Sequence, residues 1–268
     1  MPADTSDNIH SQTSKEPASS DERRRPHQRA KTAVLLAHDL VEDILRRDLQ
    51  PGAKLPSERE MGEQYRVARG TLREMLRYLE LQGVLAIRQG ANGGPVVSAP
   101  DGSHLASTLG LILALSRTPF ADVIDFRMTI EPTIAARAAE RAGSSAIAEL
   151  QRSLDRLGDD TTGDAEFVRL NRLLHDQIAR ATNNPVFEFF TLSLGATIDA
   201  ALAGVQYSAE RRAAGRASHV KIVAAITRHN PRAAEVAMRE HIQATITYLT
   251  INYPEVMKRS ITWAHPAG

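Results

Sequence analysis

From Lys31 onward, apolar residues recur at helical spacing. Val34, Ala37, Val41, Ile44 and Leu45 draw one stripe, and Pro51-Gly52 closes it with a turn. Ser57 followed by Glu60 has the form of a capping box, which predicts a short helix from Glu58 to about Gln64. A third helix is predicted from about Ala68 to Leu81, with Leu72, Met75, Leu76 and Leu79 as its buried stripe and Gly83 as its stop. The pattern then changes. Val84 to Arg88 reads as a strand, Gln89 to Gly94 as a Gly-rich turn, and Pro95 to Ser98 as a return strand.

Residues 99–103 carry Pro, Asp and Gly and read as a linker. Beyond them the pattern is helical throughout, with about seven helices near 104–117, 120–142, 144–157, 163–182, 185–203, 208–229 and 231–252. Asn183-Asn184-Pro185 and Asn230-Pro231 are the clear breaks. No strand-like alternation appears in this half. The expected fold is mainly α: three helices and a hairpin over 30–98, joined to an all-α bundle over 104–253. Residues 1–29 are polar and aperiodic and are expected to form a disordered arm, and 254–268 a loose tail.

Composition narrows the class. The 268 residues are 42% hydrophobic and contain no Cys, so disulfides, thiolate metal sites and Cys nucleophiles are excluded. The apolar run Leu109 to Leu115 is far short of the roughly 20 residues a membrane helix needs. A cytoplasmic protein without a membrane partner is therefore expected. The 33 basic and 32 acidic residues nearly cancel, so a nucleic-acid partner has to be argued from local charge.

Local charge is present. Arg66, Arg69, Arg73 and Arg77 are spaced three, four and four apart, beside the apolar stripe of the third predicted helix. A short helix with cations on its exposed face fits the DNA major groove, although such a face is also the ordinary solvated one. The segments Leu55-Pro56-Ser57-Glu58-Arg59-Glu60, Val67 to Glu74, Leu79 to Gly83 and Gly90 to Val97 resemble the winged helix-turn-helix of the GntR family of bacterial transcription regulators. The resemblance implies double-stranded operator DNA as partner, contacted by Arg59, Arg69, Thr71 and Arg73, with Gly90 at the wing tip. Ala68 and Gly70 depart from the family's usual hydroxyl and Thr/Pro residues.

The helical half carries a second constellation. His175 lies on the fourth predicted helix of that half, one turn after Asn171, with His219 on the sixth and His241 on the seventh. Three imidazoles from three helices of one bundle can converge on a divalent metal, with Zn or Ni the natural candidates, or they can be ordinary core residues. Asp125-x-Arg127-x-x-x-Glu131-Pro132, Asn171-x-x-x-His175, the His219 segment and Met238-x-x-His241 resemble the FCD effector domain of the FadR subfamily of GntR regulators. That resemblance implies a metal held by an Asp and three His. Asn171 stands at the Asp position, and His175, His219 and His241 at the three His positions. It also implies that Arg127 lines an effector cavity. The alternative for Arg127 is an internal ion pair with Glu131 or Asp125.

The expected function is a homodimeric, ligand-responsive repressor that binds a palindromic operator and is released by a small carboxylate. No P-loop, dinucleotide fingerprint, nucleophile elbow or H-E-x-x-H motif is present. Two other readings stay open. One is a metalloenzyme with a DNA-binding head, in which Glu131 or Asp176 would serve as base. The other is an architectural DNA-binding protein without a ligand.

Overall fold

The computed structural model describes residues 20–90, 93–99, 102–157 and 163–263. The chain divides into two compact units, Met1–Pro100 and Asp101–Gly268.

The first unit contains α1 (Ser20–Arg46), α2 (Glu58–Tyr65), α3 (Arg69–Leu81), β1 (Leu85–Arg88) and β2 (Gly94–Val97). Helix α2 starts at the expected capping box: the Ser57 hydroxyl accepts from the Glu60 amide, and the Glu60 carboxylate accepts from the Ser57 amide. Arg66, at φ 53°, turns the chain left-handed and ends α2, which aims α3 across α1 and α2. Leu72, Met75, Leu76 and Leu79 of α3 close on Ala33, Ala37 and Leu40 of α1 and on Met61 of α2. The hairpin pairs Leu85 with Val97 and Arg88 with Gly94, antiparallel. Gly90 has φ +105°, a conformation that favours glycine, while Ala91 and Asn92 of the expected wing turn lie outside the described residues.

The second unit is α-helical: α4 (Ser103–Leu115), α5 (Phe120–Arg141), α6 (Ser144–Leu157), α7 (Asp164–Arg180), α8 (Pro185–Ala201), α9 (Ala209–Thr227), α10 (Pro231–Asn252) and α11 (Pro254–Lys258). Asn184 and Asn230 cap α8 and α10 by accepting backbone N–H bonds, each with Pro at the first helical position. Two apolar clusters fill the bundle. One is built around Phe120, Ile124, Leu170 and Leu249, the other around Ile134, Leu174, Ile178 and Ile242. Along α5 the change from one cluster to the other falls at Arg127 and Glu131, and along α7 it falls close to His175. A polar layer therefore crosses the bundle between two apolar ones.

Three expected boundaries need correction. The arm was expected to be unstructured to residue 29, but α1 begins at Ser20; residues 1–19 lie outside the described residues. The linker ends early, because Ser103 already belongs to α4. The stretch after 253 is not a loose tail. It forms α11, buries Val256 and Ile261, and returns to α5 through a bridge between Pro119 and Ser260. Burial of those two side chains fixes it, and residues 264–268 lie outside the described residues.

Candidate functional site

In the first unit, Arg59, Arg69, Arg73 and Arg77 are all exposed. Two of them hold acids lightly: Arg59 pairs with Glu63 at 2.8 Å and Arg73 with Glu58 at 3.1 Å. Exposed pairs of this kind contribute about 0–1 kcal/mol, so either arginine can exchange its carboxylate for a phosphate or a base edge at small cost. Thr71 differs from the rest of its set. It is 8% exposed, because it sits on the side of α3 that packs inward. Gly70 brings an unexpected residue into view. A Cβ there would lie 3.4 Å from the Arg29 guanidinium of α1, at ordinary contact distance, so Arg29 lies close to the start of α3. Arg29 falls in the segment that reads as an arm, and only the N-terminal extension of α1 brings it there.

In the second unit, α7, α9 and α10 bring His175, His219 and His241 together. All three are buried, and one donor atom from each lies within 4.8 Å of the others. The ring centroids of His219 and His241 are 4.2 Å apart, and His175 stands 5.3 Å and 5.2 Å from them. Burial first, then the neighbouring His175, pushes the His219 imidazole down to about 3. Burial and His219 likewise hold His241 well below its ordinary value. Neutral imidazoles are what a metal requires of its ligands.

Hydrogen bonds select the ligating nitrogens. His219 Nδ1 lies 2.9 Å from the Gly215 carbonyl, which can only accept, so Nδ1 carries the proton and Nε2 the lone pair. His175 Nδ1 lies 2.6 Å from Glu131 Oε2. The two Nε2 atoms face each other at 3.4 Å. With Zn–N bonds of about 2.0–2.1 Å, the edge of a tetrahedron is about 3.3 Å. The His175–His219 spacing matches that edge, and three neutral imidazoles are a donor set suited to a divalent ion.

Arg127 and Glu131 form the internal pair foreseen as one alternative. Glu131 Oε1 accepts from Arg127 Nε at 2.5 Å, and both residues are buried. Burial works to raise the Glu131 pKa, but Arg127 and His175 outweigh it and hold the carboxyl well below its usual range. The same two residues line a cavity of about 280 Å³ among α5, α7 and α8. Its walls combine apolar groups such as Phe126, Ile130 and Phe190 with Asn171, Arg172, His175, Asp176 and Asp199. Asn171 is thus at the cavity, one turn before His175 on α7. His175 is the member of the triad that reaches it. Burial pushes Asp176 up to about 6, and one of its oxygens has no hydrogen-bond partner among the described residues. Asp176 and Asp199, with the ion pair of Asp199 to Arg172 at 2.8 Å, are site features that sequence reasoning missed or placed elsewhere. The signal for Asp176 was its i,i+4 spacing from Arg172 on one helix face, and Asp199, on α8, had none.

Comparison with known proteins bears on both units. Residues 32–92 match the bacterial regulatory proteins of the gntR family, and residues 122–244 match the FCD domain. The chain is 28% identical over 227 residues to the HTH-type transcriptional repressor NanR of Enterobacter sp. (strain 638), covering 83% of this chain and 86% of that one. It is 29% identical to the repressor of the same name from Escherichia coli (strain K12), with the same coverage. The solved structure of Streptococcus agalactiae GntR superposes with a TM-score of 0.62 at 26% identity, covering 80% of this chain and 98% of that one. Among the described residues, no helix is long and apolar enough to cross a membrane. The arginine-faced winged helix-turn-helix and the helical unit that follows it in sequence thus belong to one known architecture: the chain is a transcription regulator of the GntR family with an FCD domain, and not an enzyme.

Proposed function

We propose that the protein is a cytoplasmic, homodimeric repressor of the FadR type, released from a palindromic operator by a small carboxylate bound in the helical unit. The observation that carries this reading is the cavity lined by both Arg127 and His175. A guanidinium is suited to a carboxylate, and an imidazole held in a three-histidine cluster is suited to a divalent ion, Zn or Ni, that the same carboxylate would ligate. Three histidines leave at least one position of a tetrahedral ion for the Asn171 amide oxygen, water or the effector. When bound, the ion supplies positive charge for an anionic ligand. The chain's own residues orient that ligand and shield it from water.

Arg69 and Arg73 enter successive major grooves as one pair per protomer, Arg59 holds phosphate, and Gly90 lets the wing approach the backbone. Thr71, packed on the inner side of α3, supports the helix that carries Arg69 and Arg73 and does not face the DNA. The effector acts by binding one arrangement of the dimer more tightly than the other. Repression is favoured by the sign carried in the names of the NanR relatives.

The test is a thermal-shift screen of the pure protein against hydroxy, sugar and amino acids with and without Zn or Ni, followed by operator binding with each hit. A ligand at a hundred times its Kd stabilises by about 2.7 kcal/mol. The reading expects a metal-dependent hit that weakens operator binding. A hit unaffected by metal or by His219→Ala would make the histidines structural.

A further inference from the structure

Glu131 divides its two oxygens between two partners. Oε1 accepts from Arg127, which lines the cavity, and Oε2 lies 2.6 Å from His175 Nδ1. An imidazole held at Nδ1 by a carboxylate keeps its proton there and presents Nε2 as a lone pair. His219 is set the same way by the Gly215 carbonyl. The result is two lone pairs facing each other at 3.4 Å, an arrangement that repels unless positive charge sits between them. Among the described residues, the cluster that fits within 4.8 Å consists of the three histidines, and Glu131 is outside it. Glu131 therefore acts on an ion through His175 and not as a ligand. The ion itself would meet three neutral ligands, with the Arg127 guanidinium only 3.5 Å from His175 Nδ1. The position one turn before His175 carries the uncharged Asn171.

We propose that Glu131 is the positioning carboxylate of a three-histidine divalent-metal site: it locks His175 in the tautomer that ligates through Nε2, and it supplies from behind the imidazole the negative charge that Asn171 does not. This rests on the metal reading above. The competing role for Glu131 is simple neutralisation of Arg127.

Zinc affinity by chelator competition and the visible spectrum of the Co²⁺ form, both on the full-length protein, separate the two. Glu131→Gln is combined with Arg127→Met so that neither buried charge is left alone. The double variant is expected to lose 10–100-fold in zinc affinity, the range typical for outer-shell partners of metal-bound histidine. Adding Asn171→Asp to it returns a carboxylate to the site and is expected to recover part of the loss and shift the cobalt bands. A double variant that binds zinc as tightly as the wild type, with an unchanged cobalt spectrum, overturns the proposal. Nitrogen NMR of the wild-type imidazoles without metal gives a check that no variant's folding can confuse. His175 protonated at Nδ1 supports the proposal, and His175 protonated only at Nε2 overturns it. A wild type that binds neither zinc nor cobalt, yet has His175 protonated at Nδ1, refutes the metal reading itself and not the Glu131–His175 geometry.

Discussion

The two units use arginine in opposite ways. In the DNA-binding unit Arg59 and Arg73 stand 68% and 73% exposed and hold acids in direct pairs at the solvent surface. In the helical unit Arg127 is 7% exposed and its partner Glu131 6%, with His175 at the far side of the carboxylate. High dielectric makes the first pairs cheap to exchange, as a surface that must meet phosphates requires. Low dielectric makes the second pair costly to disturb and little affected by salt. The same residue is exposed and exchangeable in one place and part of a preset electrostatic layer in the other.

The comparison breaks most sharply at Arg127. Arg127→Ala leaves Glu131 charged and buried beside His175, and it should destabilise the protein by about 3–5 kcal/mol in denaturant unfolding. Arg127→Met with Glu131→Gln should cost far less, because no charge is stranded. If Arg127→Ala unfolds like the wild type, the layer is wetter than its burial implies. The effector response of Arg127→Ala has to be read against that loss, at a temperature where the variant is still folded.

Acid is the next lever, and its sign follows from the buried imidazoles. His219 is held down to about 3 and His241 well below its ordinary 6.5, so the unfolded chain binds protons that the folded one refuses. Their contribution is complete above the unfolded value near 6.5 and is lost as the pH falls below it. Between pH 7 and 5.5 each should cost about 1 kcal/mol. Asp176 offsets this in part, because its carboxyl is raised to about 6 and takes up a proton in the folded chain first. The net result is a falling Tm of the metal-free protein. Glu131 acts in the same direction lower down, because its depressed pKa stabilises above the ordinary 4.5 and that stabilisation fades as the pH falls further. A Tm that stays flat from pH 7 to 5.5 would mean the imidazoles are solvated. The exposed arginines of the other unit predict no such dependence.

How much of this was legible in the sequence follows the same division. The head was readable nearly residue by residue, because its elements are local: the Ser57–Glu60 box, the Leu72–Leu79 stripe and the Gly83 stop each act within a turn or two. The bundle's helices were readable from periodicity and from the Asn-Pro caps at 184–185 and 230–231. Two ends were not. Ser20 to Arg29 has the polar composition of an arm, and α11 is a single turn whose order comes from Val256 and Ile261 reaching a distant core. The triad was legible only as three histidines on three helices. What they face was not, since the Glu131–His175 contact joins residues 44 positions apart and needs α5 laid against α7. The pairing of Arg127 with Glu131 was legible from the i,i+4 spacing, while the second partner of Glu131 was not.

Within the head the expected effects are smaller and concern affinity instead of folding. Arg73→Ala should weaken operator binding by more than tenfold, about 1.4–3 kcal/mol, with stability changed by no more than about 0.5 kcal/mol. Retained affinity would remove α3 from its assigned role in recognition.

Arg59 gives the smallest effect and the finest distinction. It sits on α2, the bracing helix, tied to Glu63 one turn away on the same face. In the proposed reading Arg59 meets a phosphate, whereas Arg73 on α3 meets base edges. Arg59→Ala should therefore weaken operator and unrelated duplex by a similar modest factor, because a phosphate carries no sequence information. It should also lower the steepness of the salt dependence by about one unit, the counterion share of one lost phosphate contact. Arg73→Ala should instead narrow the gap between operator and unrelated duplex. If Arg59→Ala narrows that gap and leaves the salt slope alone, the two arginines have exchanged roles, and the DNA lies closer to α2 than a recognition helix at α3 requires.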